Sequence, residues 1–143
     1  MADTRMQLEV EDWVRRNWMG EQYGTTFSRE RLRLRSGGVF DFDAVSPDRS
    51  IVATISTSGR KTSTGKNGTG KMLKLRSDML FLTMVDAERR IIVLTERDMC
   101  EQCESELESG RVPPEIEFVC AVLPDEMRTR LIAARQKASD EFA

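Results

Sequence analysis

The chain reads as one α/β domain, residues 1–143, with a single mixed β-sheet flanked by helices in the order αβββαβαβα. Three observations predict this. The spacing of apolar residues switches between about 3.6, the helical period, and 2, the strand period. The first three strand-like segments are joined by short turns, which suits an antiparallel meander, whereas helical segments separate the later ones, which suits parallel crossovers. No internal repeat or composition break divides the 143 residues.

The elements follow in order. Residues 4–20 carry Met6, Val10, Trp13, Val14 and Trp18 on one helical side, with Gly20 suited to the end. Residues 27–36 alternate Leu32 and Leu34 with Arg29, Arg31, Arg33 and Arg35, a strand with one apolar face and a row of arginines on the other. Gly37-Gly38 is a turn, 39–46 a second strand, Pro47-Asp48-Arg49 a tight connection, and 50–57 a third strand. Residues 58–70, rich in Gly, Ser, Thr and Lys, form a basic loop. Residues 71–85 read as a helix, apolar nearly all round from 79 to 85 and so expected to be buried on most sides. A short apolar strand at 90–95 is the kind covered on both faces. An acidic helix at 96–109 ends at Gly110, a last strand spans 116–123, and Pro124 opens a helix from 125 to 142 with Met127, Leu131, Ala134 and Ala138 inward.

Composition excludes several classes of function. Hydrophobic residues are 39% and charged residues 32%, the balance of a folded globular chain. No apolar run reaches the roughly 18 residues of a membrane helix, so no membrane partner is expected. The polar, acidic first residues carry no secretory signal. Three cysteines, an odd number, argue against a disulfide framework and for a reducing, cytoplasmic location. The absence of histidine removes Ser-His-Asp and Cys-His catalysis and His-ligated zinc. Net charge is −2, but residues 60–76 hold six bases and no acid, while 96–108 hold six acids and one base.

The second and third strands carry the most chemistry. In Phe40-Asp41-Phe42-Asp43-Ala44 the aspartates share one face, and pairing of Phe42 with Ile55 sets Asp43 near Thr54 and Asp41 near Ser56. Carboxylates on adjacent strands hold Mg²⁺ through oxygen ligands; a solvated hairpin face is the plainer reading. Lys74 and Asp78, four apart, lie on the same side as Phe81 and Val85, either as a structural pair or as a site lysine with its acid. Gly65 to Lys71 has the GxxxxGK spacing, but Met72 stands where the motif needs Ser or Thr. A phosphate-gripping or inert loop therefore displaces nucleotide hydrolysis, and no nucleotide or organic cofactor is expected. Arg31, Arg33 and Arg35, with Arg60, Lys61, Lys66 and Lys71, offer contacts to a DNA or RNA backbone, or protect an edge strand. Cys100 and Cys103 form a CxxC inside an acidic helix, read as buried or incidental cysteines.

The order helix–strand–strand–strand–helix–strand, with an acidic second strand, resembles the PD-(D/E)XK, restriction-endonuclease-like superfamily over residues 5–95. The resemblance matches Asp43, with Asp41 as the alternative, to the second-strand metal-binding acid, and Glu9 or Glu11 to a first-helix acid. Where that family has acid-x-lysine on the third strand, this chain has Thr54-Ile55-Ser56 or Ala53-Thr54-Ile55. Catalytic groups in the superfamily migrate onto the following helix, where Lys74 and Asp78 lie. The resemblance implies a nucleic-acid-acting domain, weakly active or inactive as a nuclease. Asp41, Asp43, Lys74 and Ser56 would be its catalytic groups, Asp43, Asp41 and Glu9 its Mg²⁺ ligands, and DNA or RNA its partner. The alternative expectation is a non-enzymatic interaction module, a homo-oligomer or a subunit of a larger bacterial assembly.

Overall fold

The computed structural model of the chain describes residues 4–59 and 69–141. The elements are α1 (Arg5–Trp13), a π-helical turn (Val14–Trp18), α2 (Met19–Tyr23), β1 (Ser28–Arg33), β2 (Val39–Val45), β3 (Ile51–Ser56), α3 (Thr69–Thr83), β4 (Arg89–Leu94), α4 (Arg97–Glu108), β5 (Ile116–Cys120) and α5 (Asp125–Glu141). The strands form one five-stranded sheet in sequence order. β1, β2 and β3 pair antiparallel, then β3, β4 and β5 pair parallel. The mixed-sheet α/β architecture read from the periodicities is the observed one.

The sheet separates two cores. On one face Phe42, Val45, Val52, Ile92 and Leu94 pack with Leu75, Met79 and Leu82 of α3 and Met99 of α4. On the other, Ala44, Ala53, Ile55, Ile91 and Val93 pack with Met6 and Val10 of α1, Val14, and Leu131 of α5. Residues 91–94 are 0% exposed, which is why β4 reads as an unbroken apolar run.

The first helical segment departs from its expected form. Met6, Val10 and Val14 recur every four residues, but the next fully buried position is Met19, five residues on. The five-residue π turn absorbs the extra residue and returns Met19 to the buried side. Trp13 and Trp18 are only partly buried against this core. Gly20 does not end the helix; Gly24 does, at φ +64, a left-handed conformation glycine adopts without steric cost.

Two further expectations are corrected. α3 is not buried on most sides near its end, because Leu80 is 57% exposed while Met79 and Leu82 face the core. And the odd cysteine count did not preclude a disulfide: Cys100 of α4 is joined to Cys120 of β5, and the leftover Cys103 is buried, its thiol pushed up to about 11 by burial and by Glu106. Among the described residues no helix is long and apolar enough to cross a membrane.

Candidate active site

The site begins with an irregularity in β2. Ser28 pairs with Val45, but Glu30 pairs with Phe42, so two steps along β1 match three along β2. The extra residue flips the alternation. Phe42 and Val45 lie in one core and Ala44 in the other, with Asp43 at the break. The β2–β3 ladder has its rungs at Val45–Val52 and Ala44–Ala53. At the next position the Ile55 amide donates to the Asp43 carboxylate at 2.8 Å instead of to a backbone carbonyl. Asp43 is thus wedged into the seam between two strands. This register agrees with a Phe42–Ile55 alignment, but the ladder gives way there to the Asp43 side chain.

Arg15, in the π turn, secures the bulge from the α1 side. Its Nε donates to the Asp43 backbone carbonyl at 2.6 Å, and its other nitrogens reach Glu11 at 2.9 Å and Asp12 at 3.3 Å. The Glu11 carboxyl lies close to that of Asp43, whose charge and side-chain hydrogen bonding both disfavour ionised Glu11. Burial, followed by the negative charge of Asp43 and this hydrogen bonding, pushes Glu11 up to about 7, against the opposing pull of Arg15 and Arg29.

Asp78 of α3 completes the constellation. It is 5% exposed, and its carboxyl is raised above the ordinary range by burial, with the charge of Asp43 adding to the effect and Lys74 opposing it. The Lys74 ammonium donates to Asp78 at 2.5 Å. Its side chain is 69% exposed, so Lys74 is a surface lysine folded onto a buried acid rather than a lysine enclosed by apolar neighbours. Thr54, on β3 two residues from Val52 and therefore toward α3, is 3% exposed and its hydroxyl has no partner.

Several sequence-predicted residues lie elsewhere. Asp41 forms a two-point pair with Arg31 at 2.8 and 3.3 Å on an exposed cross-strand position, and that hydrogen bond holds its carboxyl below the usual range. Glu9 pairs with Arg130 of α5 at 2.8 Å, with both side chains about half exposed. Neither joins Asp43, so the predicted metal set of Asp43, Asp41 and Glu9 is corrected: the helix acid beside Asp43 is Glu11. Ser56 ends β3 half-buried, its hydroxyl accepting from the Ser58 amide at 3.4 Å.

The predicted nucleic-acid contacts disperse. Arg31 is occupied by Asp41, Arg33 is exposed, and Arg35 lies beyond β1, its guanidinium capping α3 through the Thr83 carbonyl. Lys71 is half-buried near Arg135, Glu96 and Asp98, and its ammonium is lowered by burial first and Arg135 second. Arg60, Lys61 and Lys66 lie outside the described residues.

A second ionic cluster binds α5 to the carboxyl ends of β3 and β4. Glu96, 6% exposed, holds Arg128 at 3.1 Å and also Arg135, while those arginines donate to the carbonyls of Thr95 and Thr57. Every charged group there is spoken for, which marks a structural clamp. Among the described residues no group of three Cys, Asp or Glu side chains is placed to enclose a metal ion. Sequence reasoning missed Arg15, whose only signal was its position four residues after Glu11. No protein family, curated protein or solved structure matches this chain.

Proposed function

We propose that this chain acts on the phosphodiester backbone of nucleic acid at the seam between β2 and β3, with Glu11 and Asp43 as its acidic pair and Asp78 with Lys74 as its acid–lysine pair. One observation carries the reading. Asp43, on a strand bulge, is met from the α1 side by Glu11, and its charge helps raise the carboxyl of Asp78 on α3. Like-charged groups that are partly or fully buried destabilise a fold, and their concentration at one break in a sheet is typical of sites kept for chemistry.

The residues fit a hard divalent cation of the Mg²⁺ type. Such an ion is held by one or two carboxylates plus waters, and the raised Glu11 carboxyl beside the charge of Asp43 marks a place where positive charge is wanted. A bound ion would polarise a phosphate oxygen and acidify water. The chain's own groups do the rest. The Ile55 amide and Arg15 fix the rotamer and backbone of Asp43. Arg15 also keeps Glu11 in register, and Asp78 holds the Lys74 ammonium at the exposed rim, where an anionic backbone arrives.

The test is cleavage of plasmid DNA and of single-stranded RNA with Mg²⁺ or Mn²⁺. Activity in the unmodified chain, reduced at least about 100-fold in Asp43→Asn and in Lys74→Ala with the fold intact by circular dichroism, is the expected result. Absence of cleavage with either metal and either substrate overturns the enzymatic reading.

A further inference from the structure

We propose that the Cys100–Cys120 disulfide is a reversible redox latch, which a dithiol reduces through the groove beside α4, freeing the carboxyl end of the edge strand β5 while the rest of the fold stays in place. This inference does not rest on the phosphodiester reading.

The bond is open to a reductant. Cys120 ends β5 and is exposed, and Cys100 is half-buried in the first turn of α4. Both lie in the wall of one groove, with Leu107, Phe118 and Val122. Exchange requires a thiolate to reach a sulfur atom, so exposed disulfides are the labile ones.

The same geometry sets the order of attack. A thiolate of the dithiol bonds to the exposed Sγ of Cys120, the bond between the two cysteines breaks, and Cys100 leaves as the thiolate. Cys100 is the fourth residue of a 12-residue helix, whose N-terminal dipole favours that negative charge. It then takes a proton from water. The second thiolate of the reductant closes on the first sulfur and expels Cys120, which is protonated in turn. The dithiol supplies both electrons and departs as a disulfide.

The third cysteine stays out of the exchange. Cys103 is 0% exposed, in the core that α3 and α4 share with the sheet. Burial, followed by the charge of Glu106, pushes its thiol up to about 11, so only about one molecule in ten thousand carries the thiolate at pH 7. Cys103 therefore does not capture Cys100, one helical turn away, and the latch has two states.

What the latch holds is β5. This strand pairs only with β4. Its one charged residue, Glu117, is engaged by Arg89 of β4, so no charge of β5 ties it to α4. α4 has anchors of its own in Met99 and Cys103, in the core, and in Arg76 of α3, which meets Glu106 at 3.4 Å. The Glu96 clamp fixes the chain just before α4. Opening the bond leaves α4 seated. β5 then frays from its carboxyl end, because Ile116 at the other end remains buried.

The experiment uses the full chain, oxidised beforehand with oxidised dithiothreitol, then treated with millimolar dithiothreitol without denaturant. Alkylation followed by peptide mass mapping is expected to label Cys100 and Cys120 and to leave Cys103 unlabelled. Amide exchange at Val119 and at Ala121, which donates to Leu94 at 2.8 Å, should rise at least about tenfold, with α3, α4 and β1 to β3 unchanged. Reoxidation should restore both readouts. Cys120→Ser should show the fast exchange from the outset, with no reductant. A disulfide that fails to form or yields only after urea, a label on Cys103 or a Cys100–Cys103 linkage, unchanged exchange on reduction, or loss of the whole fold would each overturn it.

Discussion

At the scale of the residue, one proton is the most consequential feature. Glu11 sits in the folded chain near 7, well above its ordinary 4.5, because burial and Asp43 disfavour its charge. The folded state therefore holds this proton more tightly than the unfolded state. The associated stability is fully present below about pH 4.5 and is lost as pH rises through 7. Glu11→Gln keeps the size and polarity of the side chain and removes the titration. Urea unfolding at pH 5 and pH 8 should show the native chain losing up to about 2.5 kcal/mol more than the variant between those two values. Glu9 and Glu11 also show how far periodicity reaches. Each lies about 100° from the buried Val10 around the helix, on opposite flanks. The apolar stripe tells that both border the core, but which flank faces β2 depends on how the helix docks.

At the scale of the element, two departures from regularity build the site. The strand bulge turns Asp43 into the β2–β3 seam, and the π turn lets Arg15 grip it while Met19 returns to the core. Both are one-residue insertions relative to an ideal repeat, and neither leaves a compositional mark. The glycine that ends α2 is a different case. An added Cβ at Gly24 meets nothing within 4 Å, so its role is purely conformational. Gly24→Ala should cost about 1–2 kcal/mol in denaturant unfolding, with Gly24→Asn costing less. Gly20 carries the same residue type at a helical backbone position. Composition alone could not tell which of the two glycines had positive φ.

At the scale of the whole molecule, α4 and α5 are fixed to the carboxyl ends of the parallel strands by two devices. One is the buried Glu96 with its arginines, and the other is the disulfide from Cys100 to Cys120, 20 residues apart. Closing a loop of that length restricts the unfolded chain. Reduction by dithiothreitol, or Cys120→Ser, should therefore lower unfolding free energy by about 3 kcal/mol in urea titration. The native chain should release a single thiol, that of Cys103, only on denaturation. The cysteine count alone pointed away from this, because an odd number leaves one thiol over and says nothing of whether the other two meet. Only the placement of α4 against β5 brings residues 100 and 120 together.

The sequence by itself determined the class of the fold, the element order and the acid–lysine pair on α3. Period 2 and period 3.6 are properties of local geometry, and Lys74 and Asp78 are neighbours on any helix. It also placed Asp43 on the second strand and marked its face as polar. Only the tertiary structure decided that Glu11 rather than Glu9 meets Asp43, that Asp41 is consumed by Arg31, and that Arg15 secures the bulge. Those choices depend on the angle at which a helix docks and on where a ladder slips by one residue. A site assembled across a sheet seam is fixed by such long-range contacts, which no local repeat encodes.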